Sequence, residues 1–439
     1  MNNISPLSQV VIQLKMFNEL QAARTVLSAF FKQARNLEQL DEVAYLQNEV
    51  KDYKGSVATL KRCLSISADP HQMYAVRANM AKMLNHINNP AESIIYSNIN
   101  MAMNKSYDSL LEIAFSKYLL GDYSASEEII RSIVAEDNVP EEVLNRCLYN
   151  LGSYDLELGK FKEGLRGFID TGHKIGIWKN PELTNQDRWD GTPVEGATVY
   201  CIGEGGIGDE IIGVRFMNRI KKLGMNPVWV TERSELNIVF TRNGFKCCSA
   251  KDMVADSLYC YAMYLPLALD IDKDEAWDGA YLQPDPAYVD KWRSKITPDT
   301  IAIKWAGNPD YEQDLHRSIG LGTANKIVKD YAGPVIGLQL DHDGSETGKI
   351  NNIGNEITSI EDTLAIISLC KTTITSCTSV AHMIGAMGAT GVVCPPIASY
   401  YVWLGMDGNK SHWYNDKLKV FRQTQHKNWD SVIAQISIL

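Results

Sequence analysis

Three short segments in the second half of the chain carry residue types able to hold a phosphorylated ligand and move a proton. The first is Gly203-Glu204-Gly205-Gly206-Ile207-Gly208-Asp209-Glu210. Its glycines allow a tight turn and close backbone approach to a ligand, and they spell G-x-G-x-x-G. Glu232 follows Gly208 by 24 residues, where a dinucleotide fold keeps its ribose-binding acid. Two other readings fit the same loop: the turn aims Asp209 into a cleft, or Asp209 is an ordinary helix cap. The second segment is Lys304-Trp305-Ala306-Gly307-Asn308-Pro309, a sharp turn after an apolar run, with His316-Arg317-Ser318 beyond it. Arg317 offers a planar fork and Ser318 a hydroxyl to a phosphate. The third, Thr375-Ser376-Cys377-Thr378-Ser379-Val380-Ala381-His382, crowds hydroxyls at a strand end and then opens a helix. Free amides and the helix dipole there suit a diphosphate, with His382 in the first turn.

Such segments work only if strands end where they begin and helices start where they end. The pattern supplies this. Strands are expected at 197–202 and 227–231, with helices from 209 to 223 and over 235–243. After Pro298 the alternation restarts, with strands at 301–305, 334–340, 372–376 and 391–394. Strand–helix alternation at this spacing means parallel sheets with right-handed crossovers. Two α/β lobes, 181–298 and 299–439, are expected to face each other across a cleft.

Residues 1–180 read as helices and a linker. Apolar residues recur at three- and four-residue steps, as in Leu110, Leu111, Ile113, Ala114, Tyr118 and Leu119. Tyr53, Pro90, Tyr123 and Phe161 each place a ring three residues before a small residue (Ser56, Ser93, Ser126 and Gly164), at spacings of 37, 33 and 38. This is close to the helix–turn–helix period of about 34 in tetratricopeptide repeats. An unrelated helical bundle is the other reading. Stacked helix pairs present a concave face suited to a protein or glycan partner.

The balance of 43 Lys+Arg against 53 Asp+Glu, a net charge of −10, opposes sequence-independent capture of nucleic acid, which needs phosphate neutralisation. Nucleic acid binding would require a local basic groove. The nine cysteines include no C-x-x-C and only one close pair, Cys247–Cys248, so neither a disulfide framework nor a zinc site is expected. Residues 1–17 lack the charged start, apolar core and small-residue cleavage site of a secretory leader. No uncharged apolar run approaches the roughly 20 residues of a membrane span. The expectation is a cytoplasmic protein with reduced thiols.

Taken together, the motifs resemble the glycosyltransferase B superfamily. Within it they are similar to bacterial and phage-type proteins in which tetratricopeptide repeats precede a domain akin to family 9 heptosyltransferases and family 41 O-linked N-acetylglucosamine transferases. The resemblance rests, in order, on Trp189-Asp190-Gly191-Thr192-Pro193 with Glu195-Gly196, Glu204 to Asp209, and Arg215-Phe216. It continues through Trp305 to Pro309, Arg317-Ser318, Leu338-Gln339, Glu361-Asp362-Thr363, Thr378 to His382 with Gly385-Ala386, Trp413-Tyr414, Phe421-Arg422-Gln423 and Trp429. It departs at Cys377, where the family usually has aspartate, and at Val402, where arginine is common before Trp403.

The resemblance implies a GT-B-like pair of Rossmann-like lobes after the repeats. The loop of Glu204, Gly205, Gly206 and Gly208 then faces the acceptor and Glu232 is incidental. The second lobe holds the nucleotide-sugar donor through Asn308, Arg317, Ser318, Gln339, Asp362, Thr378, Ser379 and His382. Asp209 is the expected general base of a metal-independent, inverting transfer with no further cofactor. Both departures fall at the donor pocket, so sugar and base do not carry over, and the acceptor stays open between a protein, a glycan and, if a basic groove assembles, a modified nucleic-acid base. The alternatives are a repeat adaptor whose α/β half is vestigial or merely binds nucleotide and, less favoured, a nicotinamide-dependent oxidoreductase. The D-x-D strings Asp272-Lys273-Asp274 and Asp341-His342-Asp343 arise readily in acidic loops. Glu361 and Asp362 suit ribose hydroxyls or helix capping equally. The last stretch, 429–439, is expected to form a helix crossing back to the first lobe.

Overall fold

The computed structural model describes residues 5–66, 69–176, 186–255, 257–342, 344, 346–406 and 408–436. Helices run in succession through the first part: α1 (Pro6–Met16), α2 (Leu20–Gln33), α3 (Leu37–Glu49), α4 (Tyr53–Ile66), α5 (Pro70–His86), α6 (Pro90–Met103), α7 (Tyr107–Leu119), α8 (Tyr123–Val134), α9 (Glu141–Glu157) and α10 (Phe161–Lys174). The four ring residues read from the sequence are the first residues of α4, α6, α8 and α10. Three positions on, Ser56, Ser93 and Ser126 are buried, and a Cβ on Gly164 would stand 2.6 Å from the Leu156 amide nitrogen. The small residue is what lets the paired helices touch. Two places before each of these helices the backbone turns left-handed, at Lys51, Asn88, Gly121 and Gly159. Asn18 does the same before α2, and Ala23 is fully buried three residues after Leu20. So α1–α2 is a further pair, hidden in the sequence because Leu20 replaces the ring.

Two compact units result, residues 1–139 with 308–316 and residues 140–307 with 317–439. In the first, Leu40, Leu60, Met80 and Leu84 form one core and Leu7, Val11, Leu27 and Leu46 another. Segment 308–316 joins this unit through Lys51 Nζ, which donates to the Asp310 carbonyl at 2.7 Å, and Asn88 Nδ2, which donates to the Leu315 carbonyl at 3.2 Å.

Past α10 the elements are β1 (Gln186–Arg188), β2 (Thr198–Ile202), α11 (Ile207–Val214), α12 (Met217–Lys222), β3 (Asn226–Val230), α13 (Ser234–Arg242), β4 (Cys247–Cys248), β5 (Ser257–Tyr261), α14 (Leu265–Ala268) and α15 (Pro286–Arg293). Then follow β6 (Ile301–Lys304), α16 (Asp314–Arg317), α17 (Gly320–Val328), β7 (Val335–Gly337), β8 (Asn351–Asn352), α18 (Ile360–Leu369), β9 (Thr372–Ser376), α19 (Ser379–Met387), β10 (Gly391–Cys394), β11 (Leu418–Val420) and α20 (Asp430–Ile436). The first sheet has the order β1-β5-β2-β3-β4 and the second β11-β10-β9-β6-β7-β8. Every pairing is parallel. Both sheets are doubly wound, reversing direction between β2 and β5 in the first and between β6 and β9 in the second. Open α/β sheets bind ligands outside the carboxyl ends of strands at such reversals. The segments after β2, β6 and β9 are the three picked out by residue type.

One core of the second unit runs from α10 (Leu165, Phe168) through the first lobe (Cys201, Ile212, Trp229) into the second (Leu364, Ala381, Trp403). The other face of β6 packs with Trp305, Val328 and Ile374. The helix expected over 209–223 is two helices. The chain tightens where Phe216 N–H donates to the Gly213 carbonyl at 3.1 Å, between α11 and α12. The final helix does not cross back: Val432 and Ile436 of α20 are buried in the second lobe's own cluster with Val328, because their apolar face matches that of α17. Among the described residues no helix is long and apolar enough to cross a membrane.

Candidate functional site

The site begins with the turn out of β2. Gly205 has φ +66, which a side chain would strain, and Gly206 then leads into α11. Asp209, in the first turn, uses its two oxygens differently. Oδ2 accepts the Gly206 N–H at 2.7 Å, as a cap would, while Oδ1 accepts the Tyr400 hydroxyl at 2.9 Å. Burial raises the Asp209 pKa, and the Gly206 amide, the Tyr400 hydroxyl and the Arg233 charge oppose that rise. Arg233 pins the loop by donating to Glu210 and, at 2.8 Å, to the Gly205 carbonyl; Trp229 Nε1 donates to the other Glu210 oxygen at 3.1 Å. Glu204 is buried, and burial pushes it up to about 8, against the Met263 N–H it accepts and with help from the Asp209 charge. Glu232 accepts the Ala250 N–H at 2.8 Å.

Across from this loop stands α19. Thr378 caps it, its hydroxyl accepting the Val380 N–H at 3.3 Å and lying 3.0 Å from the Thr375 hydroxyl. Ser379 is half-buried and His382 buried. The two helices meet closely: a Cβ on Gly208 would stand 2.5 Å from His382 Cδ2. His382 stacks on Trp403 with ring centroids 5.4 Å apart, and its Nδ1 bonds the Tyr414 hydroxyl at 2.9 Å. Burial and the Arg215 charge drive its pKa down to about 3, so it is a neutral ring wedged in the seam between the lobes. It is not a cation beside the amides. Cys377, beneath it, accepts the Trp403 indole N–H at 3.1 Å.

The loop leaving β6 is stitched to its neighbours. Ser376 Oγ donates to the Trp305 carbonyl at 2.8 Å and accepts the Ile319 N–H at 3.2 Å. Ser318 accepts the Gly307 N–H at 3.1 Å, and buried Gln339 accepts the Ala306 N–H at 3.1 Å. The Arg317 charge reaches Cys377. Other candidates have partners of their own. Asn308 forms a turn with the Asp310 N–H and belongs to the first unit. Asp362 is fully buried and accepts from Lys291 at 2.6 Å, Trp292 Nε1 at 2.8 Å, Thr358 and Ser359, so its lone pairs are taken by anchoring and helix capping. Glu361 takes both an N–H of Arg242 Nη2 at 2.7 Å and its Nε–H at 2.8 Å. Asp272 caps its own turn through the Lys273 N–H at 2.7 Å, and Asp343 lies outside the described residues.

Sequence reasoning passed over Tyr400 and Arg233. The Tyr400-Tyr401 pair after a proline-rich turn, and an arginine just past the β3 end, were the available signals. A cavity of about 890 Å³ is lined by Lys273, Trp277, Lys410, His412, Tyr414 and Lys417 among others. Another, of about 510 Å³, is lined by Gln339, His342, Lys349 and Asn352 among others. Neither is lined by Asp209 or Ser379. Among the described residues no group of three or more His, Cys, Asp or Glu is placed to hold a metal ion.

No family model matches this chain, and no curated protein does. Similar solved structures include a family 9 glycosyl transferase from Veillonella parvula, 10% identical, covering 53% of this chain and 88% of that one at a TM-score of 0.37. They also include the iron-containing dodecameric glycosyltransferase TibC from enterotoxigenic E. coli, at 11% identity, 56% and 74% coverage and a TM-score of 0.37. A mutant O-GlcNAc transferase from Thermobaculum terrenum aligns at 11% identity over 98% of this chain and 90% of that one, with a TM-score of 0.36. All three are glycosyltransferases, and none of these likenesses is close enough to assign a residue, donor or acceptor to this chain. The chain's own architecture is a run of helix pairs followed by two lobes, each built on a parallel, doubly wound sheet.

Proposed function

We propose that the chain is a glycosyltransferase that moves a sugar from a nucleotide-sugar donor to an acceptor hydroxyl, with Asp209 as general base. The observation that carries this reading is the Tyr400 hydroxyl donating to Asp209 Oδ1 at 2.9 Å while Gly206 fixes Oδ2. A carboxylate with one oxygen anchored and the other accepting a hydroxyl proton has the reach a general base needs. Oδ1 has a second lone pair, which would take the acceptor's hydroxyl while Tyr400 holds the carboxylate. In the reaction the acceptor oxygen attacks the anomeric carbon as its proton passes to Asp209. The bond from that carbon to the phosphate oxygen breaks, and the nucleoside diphosphate leaves with the electron pair and the sugar inverts. The amides opening α19 and the Arg317 charge would stabilise the departing diphosphate, and the proposal includes independence from metal. The repeats would hold a protein or glycan acceptor.

The tight packing of His382 between Gly208 and Trp403 favours a second reading, an adaptor whose lobes no longer open for a donor. Calorimetry with UDP, GDP, ADP and CDP separates the two. Binding of one of them supports transfer, whereas silence from all four favours the adaptor. Asp209→Asn is expected to lower turnover of the matching nucleotide sugar by about 100-fold or more while leaving diphosphate affinity intact. Unchanged turnover would remove Asp209 from the mechanism, and EDTA is expected to have no effect.

A further inference from the structure

Both groups that flank Asp209 are held from one place, the hairpin of α9 and α10. On one side Phe168 of α10 packs against Tyr401 with centroids 5.4 Å apart and meets Tyr400 edge-on at 6.3 Å. Tyr149 of α9 backs it, stacked at 4.7 Å. On the other side His173 of α10 has Nε2 3.6 Å from Glu204 Oε1, and its ring lies 5.0 Å from that of Tyr261. Glu204 opens the glycine loop that presents Asp209. The hairpin is anchored independently to each lobe. Arg422 grips both carboxylate oxygens of Glu157, and Lys162 pairs with Asp270 at 2.7 Å.

We infer that this last helix pair is a working part of the site: Phe168, through Tyr400, and His173, through Glu204, are positioning residues that set where the Asp209 carboxylate stands. The inference rests on the reading of Asp209 as the base. A repeat hairpin with the same turn as those before it thereby serves the chemistry. The charged and titratable groups facing Asp209 are Glu204, Glu210, Arg233, Cys377, Tyr400 and Tyr401; those facing Glu204 are His173, Arg188, Cys260, Tyr261, Tyr401 and Asp209. All except His173 stay in place in the variants that test the idea.

The test uses the full chain carrying Phe168→Leu, Phe168→Tyr or His173→Gln. Hydrogen exchange followed by mass spectrometry is expected to quicken across 398–404 in Phe168→Leu and across 203–210 in His173→Gln, with Phe168→Tyr close to the parent. Turnover of the nucleotide sugar whose diphosphate binds is expected to show kcat lowered about 10- to 100-fold in Phe168→Leu and in His173→Gln, with donor KM within about twofold. Exchange unchanged in both segments overturns the inference, as does a raised KM with kcat intact. If the parent chain binds no diphosphate and turns over no sugar, the base assignment falls, and the exchange measurement still decides whether the hairpin holds the two segments.

Discussion

Glu204 shows how one buried carboxyl shapes the residue beside it. It titrates near 8 in the folded chain but at the ordinary carboxylate value when unfolded. Between those two values the native state carries the extra proton, so stability falls as pH rises, by at most about 1.4 kcal/mol per unit. At neutral pH Glu204 is therefore mostly uncharged, which spares Asp209 a like charge across the loop. Glu204→Gln keeps the shape and removes the titration. Urea unfolding of this variant is expected to show a flatter pH dependence between about pH 5 and 8 and higher stability at pH 8 than the parent. An unaltered slope would assign the pH dependence to other groups. Asp209 was legible from its type and place after a glycine turn. Tyr400 was not, because its link to Asp209 spans 191 residues and no local pattern encodes such a pair.

At the scale of elements, α11 and α19 start at the two sheet reversals and pack together because Gly208 has no side chain. Gly208→Ala puts a methyl group into the His382 ring at 2.5 Å. Trp403 and Tyr414 hold that ring in place, so the helices must part. A loss of about 1–3 kcal/mol is expected in urea unfolding, and a stability equal to the parent's would show that the seam yields freely. The strands that could be read from sequence were β2, β3, β6, β7 and β10, whose residues are buried on both faces and so form mainly apolar runs, and β9, whose threonines and isoleucine are β-branched. Short β1, β4 and β8 escaped notice because two or three residues carry no periodicity, and β11 because its three residues are no more informative. β5, with its cysteine and tyrosines, follows a loop with no clear turn signal. The repeat pairs were legible through their buried serines, since a small residue at a helix crossing is a packing demand visible in one dimension.

Across the whole second unit, the lobes are joined through Glu361, which the sequence left open between ribose hydroxyls and helix capping. Arg242 of the first lobe forks onto Glu361 of the second and also donates to the Gln283 carbonyl at 2.6 Å. Glu361 is 4% exposed, and both of its carboxylate oxygens accept from that fork. Arg242→Ala leaves a buried carboxylate short of its partner and is expected to cost about 2–4 kcal/mol, discounted for the part-exposed arginine. A lowered urea midpoint that recovers in Arg242→Ala with Glu361→Leu would confirm that the unpaired charge is the cause. No recovery would point to lost packing.

The helix pairs, the alternation that builds two parallel sheets, and the loops at their carboxyl ends all follow from residue order. These are local matters, written in the spacing of apolar, small and glycine residues along a few turns of chain. Which of the polar groups face each other was settled by long-range packing. It turned His382 into a neutral wedge, spent Asp362 and Glu361 on joining elements, set Tyr400 against Asp209, and folded a repeat hairpin in with the two lobes. Those outcomes depend on contacts between distant segments, where burial and hydrogen-bond satisfaction fix a side chain's role after the backbone has already been placed.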